Sequence, residues 1–411
     1  MRVTGSHLES KGIEPNLSKD SQDLASWTTQ YFKEVYPWGS LAGMATLGGH
    51  SFNQLDVAIQ AEGSNQGSVY MMRNYSYANE SEFKQSVLAR QTKRIEVGAW
   101  YPDERRPEAK KWRQVRPTLP MYRILAIDVD MSDYGGKCAW SPYGAFPFVG
   151  CGHGPREAAC DRCWKLILEP GRRIVEYILR EVWGFETLAF VYSGRKGYHC
   201  LVLDDDVCRH WNRDDNRQAV MKSLASWPSD SKHCEYIYGK ILRPAWDRFA
   251  STDGTLVPLI LFKEFLPRSH RSHIPQNETR NSNGLFKYIT GELFTSEGDL
   301  ISLDEDSSLS SHGSQSGPTM RGIWTRAVLR ALFWPRVDEK VGKQVRHLLK
   351  APFSPVPSTQ KIAIVLKNPK RFVPSMAPSI QDVVRNPELL EESCSWFETL
   401  LRQSHDKSAL I

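Results

Sequence analysis

The chain has 411 residues, enough for two to four domains and for a large buried core without disulfide bonds. Its composition is 40% hydrophobic, 24% charged and 11% aromatic, which excludes a fibrous, collagen-like or wholly disordered protein. The formal net charge is +6, a small excess that suits a polyanionic partner where the basic residues cluster.

No stretch of the sequence reaches the length of a membrane-spanning helix, and the N-terminus lacks the apolar segment of a secretion signal. We therefore expect no membrane association and a cytosolic or nuclear protein. The eight cysteines of such a protein are better interpreted as thiols or metal ligands than as disulfides.

The first part of the chain predicts a helix followed by a sheet. Residues 1–22 are polar and aperiodic, which predicts a disordered leader. Residues 24–36 have apolar side chains at helical spacing and predict an amphipathic helix. Three β-like segments then predict the strands of a sheet, and they are 69–77, 94–101 and 122–130.

The later part of the chain alternates helical and β-like patterns. Residues 166–185 predict a helix that Gly184 is placed to end. Residues 187–206 predict a strand, a glycine-containing turn and a second strand. The remaining predicted elements are a largely helical region 213–265, an exposed Ser/Gly-rich loop 302–319, a helix 322–353 broken at Pro335 and Pro352, a strand 361–366 and a helix 379–402.

Two acidic residues end the most hydrophobic of the predicted strands, in the segment IDVD at 127–130. Because side chains alternate along a strand, Asp128 and Asp130 share one face and lie about 6.5–7 Å apart. A divalent cation relieves the repulsion between two such carboxylates, and hard oxygen ligands suit Mg²⁺ or Mn²⁺. The alternative is a solvated strand end at which the acids only prevent edge pairing.

A second group of potential metal ligands lies further along the chain. Cys151, His153, Cys160 and Cys163 form the pattern C-x-H-x6-C-x2-C. The C-x2-C pair can bring two sulfurs to one tetrahedral zinc ion, and four protein ligands would make the site structural. The ligand that joins the three cysteines is open between His153 and Cys138. The alternative is a set of unconnected buried thiols.

The turn of the predicted hairpin, SGRKGYH at 193–199, combines two glycines, two cations and a histidine. Glycines let the backbone approach an anion, and cations together with backbone amides can hold a phosphate group. His199 could bond a phosphate oxygen through either ring nitrogen. The alternative is a basic turn that is simply solvated.

Basic residues also cluster in two segments, 103–116 and 321–350, where they are interleaved with Trp112, Trp324 and Trp334. Cations and indole rings suit contact with the backbone and the bases of a nucleic acid. The alternative is that these segments are helix surfaces whose tryptophans turn inward.

The order of these motifs resembles that in the catalytic small subunit of archaeo-eukaryotic DNA primases, over about residues 25–370. The motifs are IDVDMSDY, the cysteine group ending in CDRCW, the helix ending in WGF, VYSGRKGYHCLVLDD and FWPRVDEKVGKQVRHLLKAPFS, with YMMRNYSY and IEVGAWY resembling the family's early strands. The resemblance implies an α+β primase catalytic fold. That fold has a mixed β-sheet flanked by helices, an embedded zinc-binding stretch and a helical insertion subdomain.

Four parts of the chain are predicted on this basis. They are a disordered leader 1–22, a first part of the catalytic domain 23–212 with the zinc stretch 138–163, a helical insertion 213–320 ending in the Ser/Gly-rich loop, and a second part of the catalytic domain 321–411 with C-terminal helices.

The resemblance implies an RNA polymerase that makes short RNA primers de novo on a single-stranded DNA template. Carried over by motif, Asp128, Asp130 and Asp338 would hold two Mg²⁺ or Mn²⁺ ions for nucleotidyl transfer. The residues that would bind the ribonucleoside triphosphate are Arg73, Ser193, Arg195, Lys196, His199 and Lys350. The implied partners are a primase large subunit and the replicative DNA polymerase α complex, in the nucleus.

The sequence departs from the family pattern at four places, one of which is the zinc stretch, where Cys138 and Cys151 lie apart although the first ligands of relatives lie close together. Lys196 stands where many members have a second arginine, which keeps the charge but loses the bidentate fork. Val356 stands where a histidine usually follows SPF, and GGHSFNQ at 48–54 offers no early acidic residue. One alternative is therefore a catalytically impaired primase-like scaffold that binds nucleic acid or a partner subunit. A D-x-D glycosyltransferase would explain the acids but not the 193–199 turn.

Overall fold

The computed structural model describes residues 17–63, 68–75, 77–102, 120–134, 158–210, 214–226, 228, 230–252, 329 and 333–408. The strands among them are β1 Leu55–Glu62, β2 Val69–Tyr75, β3 Thr92–Trp100, β4 Leu125–Asp130, β5 Leu188–Tyr192, β6 Gly197–Val202, β7 Leu349–Lys350, β8 Pro355–Val356 and β9 Lys361–Ile362. The α-helices are Leu17–Gln30, Trp38–Ala45, Glu80–Leu88, Asp161–Cys163, Glu169–Tyr177, Asp205–His210, Asp214–Ala225, Ser231–Tyr236, Arg243–Thr252, Glu339–Lys343, Ile380–Arg385 and Glu391–Ser408. Wider π-helical turns occupy Tyr31–Val35, Trp164–Leu168, Ile178–Val182 and Ile237–Leu242, and 3₁₀ turns occupy Leu47–Gly49, Phe52–Gln54, Met131–Tyr134, Pro374–Met376 and Pro387–Leu390.

Antiparallel pairing arranges the described strands into two sheets and a ribbon. The first sheet has the order β2-β1-β3-β7, the second has the order β4-β6-β5, and β8 pairs with β9. The α+β class is confirmed, but the prediction of one mixed sheet is wrong for the described strands, all of which pair in antiparallel fashion. The short connections between β1 and β2 and between β5 and β6 allow only antiparallel neighbours, since a parallel pair needs a long crossover.

The second sheet lies between two hydrophobic cores. Because side chains alternate along a strand, Ile127 and Val129 face one core, which they share with the helix Glu169–Tyr177. Ala126 and Leu201 face the other core, which continues into the first sheet. The two acids of β4 point to the same side as Ala126, and so they face the edge of the first sheet rather than the helices.

The predicted helices over 24–36 and 166–185 are confirmed, with the start of the first corrected, whereas the predicted helix 379–402 is divided into Ile380–Arg385 and Glu391–Ser408 by a 3₁₀ turn. The first helix begins at Leu17, inside the predicted leader, so residues 17–22 are helical. The buried face of this helix lies after residue 22. The helix can begin earlier because extending a formed helix through polar residues costs far less free energy than nucleating one. The helix after the cysteines ends before Gly184, whose φ of 72° is the left-handed conformation that favours glycine.

The predicted helix over 322–353 is wrong at its C-terminal end. The described residues Leu329, Phe333 and Glu339–Lys343 are helical, whereas Leu349 and Lys350 form β7 and pair with β3. Pairing satisfies backbone groups along the edge of β3, and this gain outweighs the helix propensity of the HLLK segment. The predicted strand 361–366 is also shorter than expected, since only Lys361–Ile362 is a strand.

Several predictions fall on residues that lie outside the described ranges. These are the leader before residue 17, the basic segment 103–116 and the insertion beyond residue 252, including the Ser/Gly-rich loop. Residues 214–226 and 230–252 of the insertion are largely helical, as expected. Trp334 is buried and donates to the Leu224 carbonyl oxygen over 2.7 Å, so this tryptophan of the second basic segment turns inward.

Membrane insertion was not expected from the sequence. Within the described ranges, no helix combines the length and the apolar character that crossing a bilayer requires.

Gly197 sets the distance between β4 and β6 and gives a first prediction. A Cβ atom at this position would lie 2.0 Å from the Val129 carbonyl oxygen and 2.8 Å from the Asp130 Cα atom. We expect Gly197→Ala to force the strands apart and to lower the free energy of unfolding by about 2 kcal/mol, measured by urea denaturation.

The control for this substitution is Gly39→Ala in the helix Trp38–Ala45, where a Cβ atom would meet nothing within 4 Å. Alanine favours a helix over glycine, so stability should stay the same or rise. Equal losses of stability in the two variants would contradict the steric role of Gly197.

Candidate active site

The pairing of β4 with β6 brings the two acids of β4 beside the predicted phosphate-binding turn. In the antiparallel register Asp128 lies opposite His199, and Asp130 lies opposite Gly197. The His199 Nε2 atom is 3.6 Å from the Asp128 Oδ1 atom, and an Arg195 guanidinium nitrogen is 3.9 Å from the Asp130 carboxylate. Two motifs that are distant in the sequence therefore meet at one end of the second sheet.

The third predicted acid, Asp338, is attached to β4 through the backbone. Its N–H donates to the Asp128 carbonyl oxygen over 2.9 Å, and the residue before it forms a β-bridge with Val129. Its carboxylate accepts from the Lys340 N–H over 2.8 Å and so caps the helix Glu339–Lys343. The structure thus brings together the three acids that were predicted from separate motifs.

Two buried arginines, which the sequence analysis missed, hold the Asp338 segment against β4. Arg123 donates to the Val341 carbonyl oxygen, and Arg217 donates to the Gly342 carbonyl oxygen over 2.9 Å. Arg217 also donates to the backbone carbonyl of Arg123, just before β4, over 3.0 Å. Neither arginine belongs to a local motif, so the sequence offers no signal for this contact.

Mutual repulsion perturbs the acids of the cluster. Burial, followed by the nearby Asp130 and Asp338 carboxylates, raises the pKa of Asp128 to about 7. Burial and the same two neighbours also raise the pKa of Asp133 above its ordinary value. At neutral pH the cluster therefore favours binding either a proton or a cation.

The donor atoms of this cluster fit a hard divalent cation, since Mg²⁺ and Mn²⁺ prefer carboxylate oxygens. However, no three His, Cys, Asp or Glu groups in the described part of the chain are already arranged around one position for a metal ion. Asp130 Oδ1 instead accepts from the Ser132 N–H and hydroxyl over 2.8 and 2.7 Å. Metal binding through this oxygen would replace the two hydrogen bonds from Ser132.

His199 and Lys350 face the acids as a neutral ring and an ammonium group. Burial, with Lys350 and Arg123 nearby, lowers the pKa of His199 to about 3, so its contact with Asp128 is not an ion pair at pH 7. Burial, followed by the charge of Arg94, lowers the pKa of Lys350 to about 8. The lysine therefore stays largely protonated at neutral pH and keeps one positive charge beside the acids.

The carbonyl groups of the turn 193–197 are held by residues around it. The Lys350 ammonium donates to the Ser193 carbonyl oxygen over 2.7 Å. The Thr359 hydroxyl donates to the Gly194 carbonyl oxygen over 2.6 Å. Both donors come from chain segments far from the turn in sequence, one from β7 and one from the connection between β8 and β9.

The next two carbonyl groups of the turn are also occupied. The Arg195 carbonyl accepts from the Ala159 N–H over 2.8 Å, and the Lys196 carbonyl accepts from the Met131 N–H over 3.1 Å. The backbone N–H groups of residues 194–196 meet no acceptor among the described residues. The turn therefore offers consecutive backbone donors together with two cationic side chains, which suits an anion.

Val356 supports this turn sterically. Gly194 has a φ of 79°, and a Cβ atom on it would lie 2.4 Å from the Val356 Cγ2 atom. The valine is buried and fills the space against the glycine. The residue that departs from the family pattern therefore contacts the turn through its apolar surface.

Arg73, also predicted as a nucleotide ligand, lies on β2 of the first sheet. Its Nε atom donates to the Asp56 carboxylate over 3.2 Å, and its Nη2 atom donates to the Arg346 carbonyl oxygen over 2.5 Å. Asp56 is fully buried on β1. The structure thus fixes Arg73 on the first sheet without direct contact to the acids.

Arg94 and Glu96 of β3 are candidates that the sequence analysis missed. Glu96 lies opposite Lys350 in the register of β3 with β7, and its carboxylate pairs with Arg94 at 2.5 Å. The signal was available, because RIEVG alternates charged and apolar residues as IDVD does. The alternation places both charges on one face of β3, beside the lysine.

Of the predicted zinc ligands, the structure describes Cys160 and Cys163. The Cys163 N–H donates to the Cys160 sulfur over 3.4 Å at the start of a short helix. Ala159, immediately before this pair, is the residue that donates to the turn. Cys138, Cys151 and His153 lie outside the described residues, so the zinc site stays a prediction.

The chain is similar to DNA primase small subunits over most of its length. The family model described as DNA primase small subunit matches residues 127–367. The DNA primase small subunit of Schizosaccharomyces pombe is 21% identical, covering 94% of this chain and 84% of that protein. Those of Saccharomyces cerevisiae and Caenorhabditis elegans are 24% and 25% identical, covering 90% and 88% of this chain and 87% and 86% of those proteins.

The raised pKa of Asp128 predicts a pH-dependent effect of Asp128→Asn on stability. The folded-state pKa, about 7, lies above the ordinary value of 3.8, so ionisation costs stability as the pH rises from about 4 to 7. We expect Asp128→Asn to raise the free energy of unfolding by about 2 kcal/mol at pH 8 and by far less at pH 4. Urea denaturation at both pH values measures this difference.

Asp406→Asn is the control, because it removes the same charge outside the cluster. Asp406 is exposed on the helix Glu391–Ser408. Its effect should stay within about 0.5 kcal/mol at both pH values. A gain from Asp128→Asn that does not change between pH 4 and pH 8 would contradict the raised pKa of Asp128.

Proposed function

The chain belongs to the DNA primase small subunit family, and we propose that it synthesises short RNA primers de novo on single-stranded DNA. The proposal is carried by one observation, the meeting of three acids, the 193–199 turn and Lys350 at one end of the second sheet. Nucleotidyl transfer requires acidic residues that attract divalent cations and donors that bind a triphosphate. Here the three acids lie beside the backbone donors of the turn.

In the proposed reaction, the 3′-hydroxyl of one nucleotide attacks the α-phosphate of the next and pyrophosphate leaves. Two Mg²⁺ or Mn²⁺ ions would lower the pKa of that hydroxyl and neutralise the leaving group. Asp128, Asp130 and Asp338 would hold these ions. The raised pKa of Asp128 supports this role, because burial and the neighbouring carboxylates both disfavour its charge, and a bound cation would offset both effects.

The triphosphate would lie on the turn between β5 and β6. The N–H groups of residues 194–196 and the side chains of Arg195 and Lys196 supply donors for its oxygens. Lys350 adds a charge, and the neutral His199 ring has one N–H to donate. Ser193 and Arg73 complete the proposed set, Arg73 from the neighbouring sheet.

The proposal includes a primase large subunit and the replicative DNA polymerase α complex as partners, and a nuclear location. It is supported by the similarity to proteins named DNA primase small subunit in four eukaryotes.

The alternative of a catalytically impaired scaffold is motivated by Val356 and by the lack of an early acid. It is less well supported, because the acids and the turn lie together and Val356 fills its place against Gly194.

Primer synthesis on a single-stranded DNA template, with labelled ribonucleotides and Mg²⁺ or Mn²⁺, tests the proposed activity. We expect Asp128→Ala and Asp130→Ala to reduce the yield of short RNA products by at least about a hundredfold, since each removes a proposed ligand of the reacting centre. Thermal unfolding should show that both variants remain folded.

Glu392→Ala is the control for loss of a carboxylate, since this side chain is exposed on the last helix. It should synthesise primers like the wild type. Normal activity of either aspartate variant would rule out the proposed site. If the wild type makes no primers, either alone or with the large subunit added, the result would favour the catalytically impaired scaffold.

A structural zinc ion is proposed for the segment that contains Cys160 and Cys163, with Cys151 and either His153 or Cys138 as the other ligands. The i, i+3 spacing of the two described sulfurs at a helix start supports it. We expect Cys160→Ala to lose the zinc measured by metal analysis of the purified protein and to unfold at a lower temperature.

Cys394→Ala, a half-buried thiol on the last helix, is the control and should keep the full zinc content. Retention of stoichiometric zinc by Cys160→Ala would show that this cysteine is not a ligand.

A further inference from the structure

We propose that Thr359 is a positioning residue for the phosphate-binding turn, an inference that rests on the proposed function. Thr359 lies in the connection between β8 and β9, and its hydroxyl donates to the Gly194 carbonyl oxygen over 2.6 Å. No contact joins it to the acids. Its proposed role is to aim a backbone donor at the triphosphate.

The geometry of the peptide unit gives the reason. The Gly194 carbonyl and the Arg195 N–H belong to one planar peptide, and the described residues contain no cis peptide bonds. In a trans peptide the C=O and N–H bonds point in opposite directions, so fixing one fixes the other. By holding the oxygen, Thr359 directs the Arg195 N–H away from the β8–β9 ribbon, into the face of the turn where the described residues supply no acceptor.

The ribbon can hold the peptide because Thr359 is itself held. Its N–H donates to the Val356 carbonyl oxygen over 3.2 Å, and its hydroxyl accepts from the Lys361 N–H over 3.4 Å. The Val356 side chain stands against the Cα of Gly194 from the same ribbon. One short ribbon therefore fixes this peptide both by a hydrogen bond and by steric contact.

Thr359 differs from the other groups that hold the turn. Lys350 carries a charge and belongs to the proposed triphosphate ligands, and the donors at Ala159 and Met131 are backbone N–H groups. The Tyr192 hydroxyl donates to the Arg195 carbonyl oxygen over 3.2 Å, but from β5, the strand that leads into the turn, whereas Thr359 donates from the separate β8–β9 ribbon. Thr359 can lose its donor in Thr359→Val without a change of charge and with little change of volume. Thr359→Ser restores the hydroxyl, so the two variants separate the hydrogen bond from the packing.

The test compares Thr359→Val and Thr359→Ser in the full chain. Calorimetry measures the Kd of ATP with Mg²⁺ and of single-stranded DNA, and primer synthesis gives KM and kcat. We expect Thr359→Val to raise the Kd and KM for ATP about tenfold, as for the loss of one charge-assisted hydrogen bond. The kcat and the Kd for DNA should change less than about twofold, and Thr359→Ser should behave like the wild type.

Thr399→Val is the matched control, because the Thr399 hydroxyl also donates to a backbone carbonyl, that of Ser395, over 2.8 Å, in an exposed hydrogen bond on the helix Glu391–Ser408. It should leave all four quantities unchanged. The inference is wrong if Thr359→Val binds ATP as tightly as the wild type, or if Thr359→Ser loses as much ATP affinity as Thr359→Val. It is also wrong if the affinity for DNA and kcat decrease together with the affinity for ATP. By contrast, a wild type that binds no ATP and makes no primer would overturn the proposed function itself.

Discussion

The site depends on the alternation of side chains along β4. Burial of Ile127 and Val129 in one core places Asp128 and Asp130 on the opposite face, at the edge of the first sheet. A register shift of one residue would exchange the two sets and bury both carboxylates in an apolar core, where an unpaired charge is very costly. Burial of the apolar side chains on one face of β4 thus determines that the two carboxylates lie on the other face.

The same placement concentrates like charges that repel one another in the free protein. Asp128 lies near three other carboxylates, and the Lys350 ammonium lies near Arg94. These groups stay close because backbone atoms hold them, as in the bonds of Asp338 to β4 and of Lys350 to Ser193. Ligands of opposite charge would recover this electrostatic free energy, which is why perturbed groups mark a candidate site.

The sequence predicted what short-range patterns determine. Alternation in IDVD predicted the strand and the shared face of its acids, and Gly184 predicted the end of a helix. The hairpin around SGRKG was also recognised, because glycines and cations between two apolar runs have few other interpretations. The resemblance to a family added Asp338, which no local pattern would connect with β4.

Long-range contacts could not be predicted in this way. The pairing of Lys350 with β3 overrode a helical pattern, and the antiparallel order of the sheets depends on which distant edges meet. The buried contacts of Arg123 and Arg217 with backbone carbonyls follow from the fold and have no signature in spacing. Glu96, in contrast, was missed although its strand shows the alternation that identified the acids.

Because the turn presents main-chain N–H groups, much of the proposed anion binding would be independent of which side chains the turn carries. Lysine at position 196 in place of arginine then removes only part of the donors, since the peptide units contribute the rest. In the proposed function these donors would contact phosphate oxygens, which all four nucleotides share, so the turn would accept them alike. The choice among them would be left to base pairing with the template.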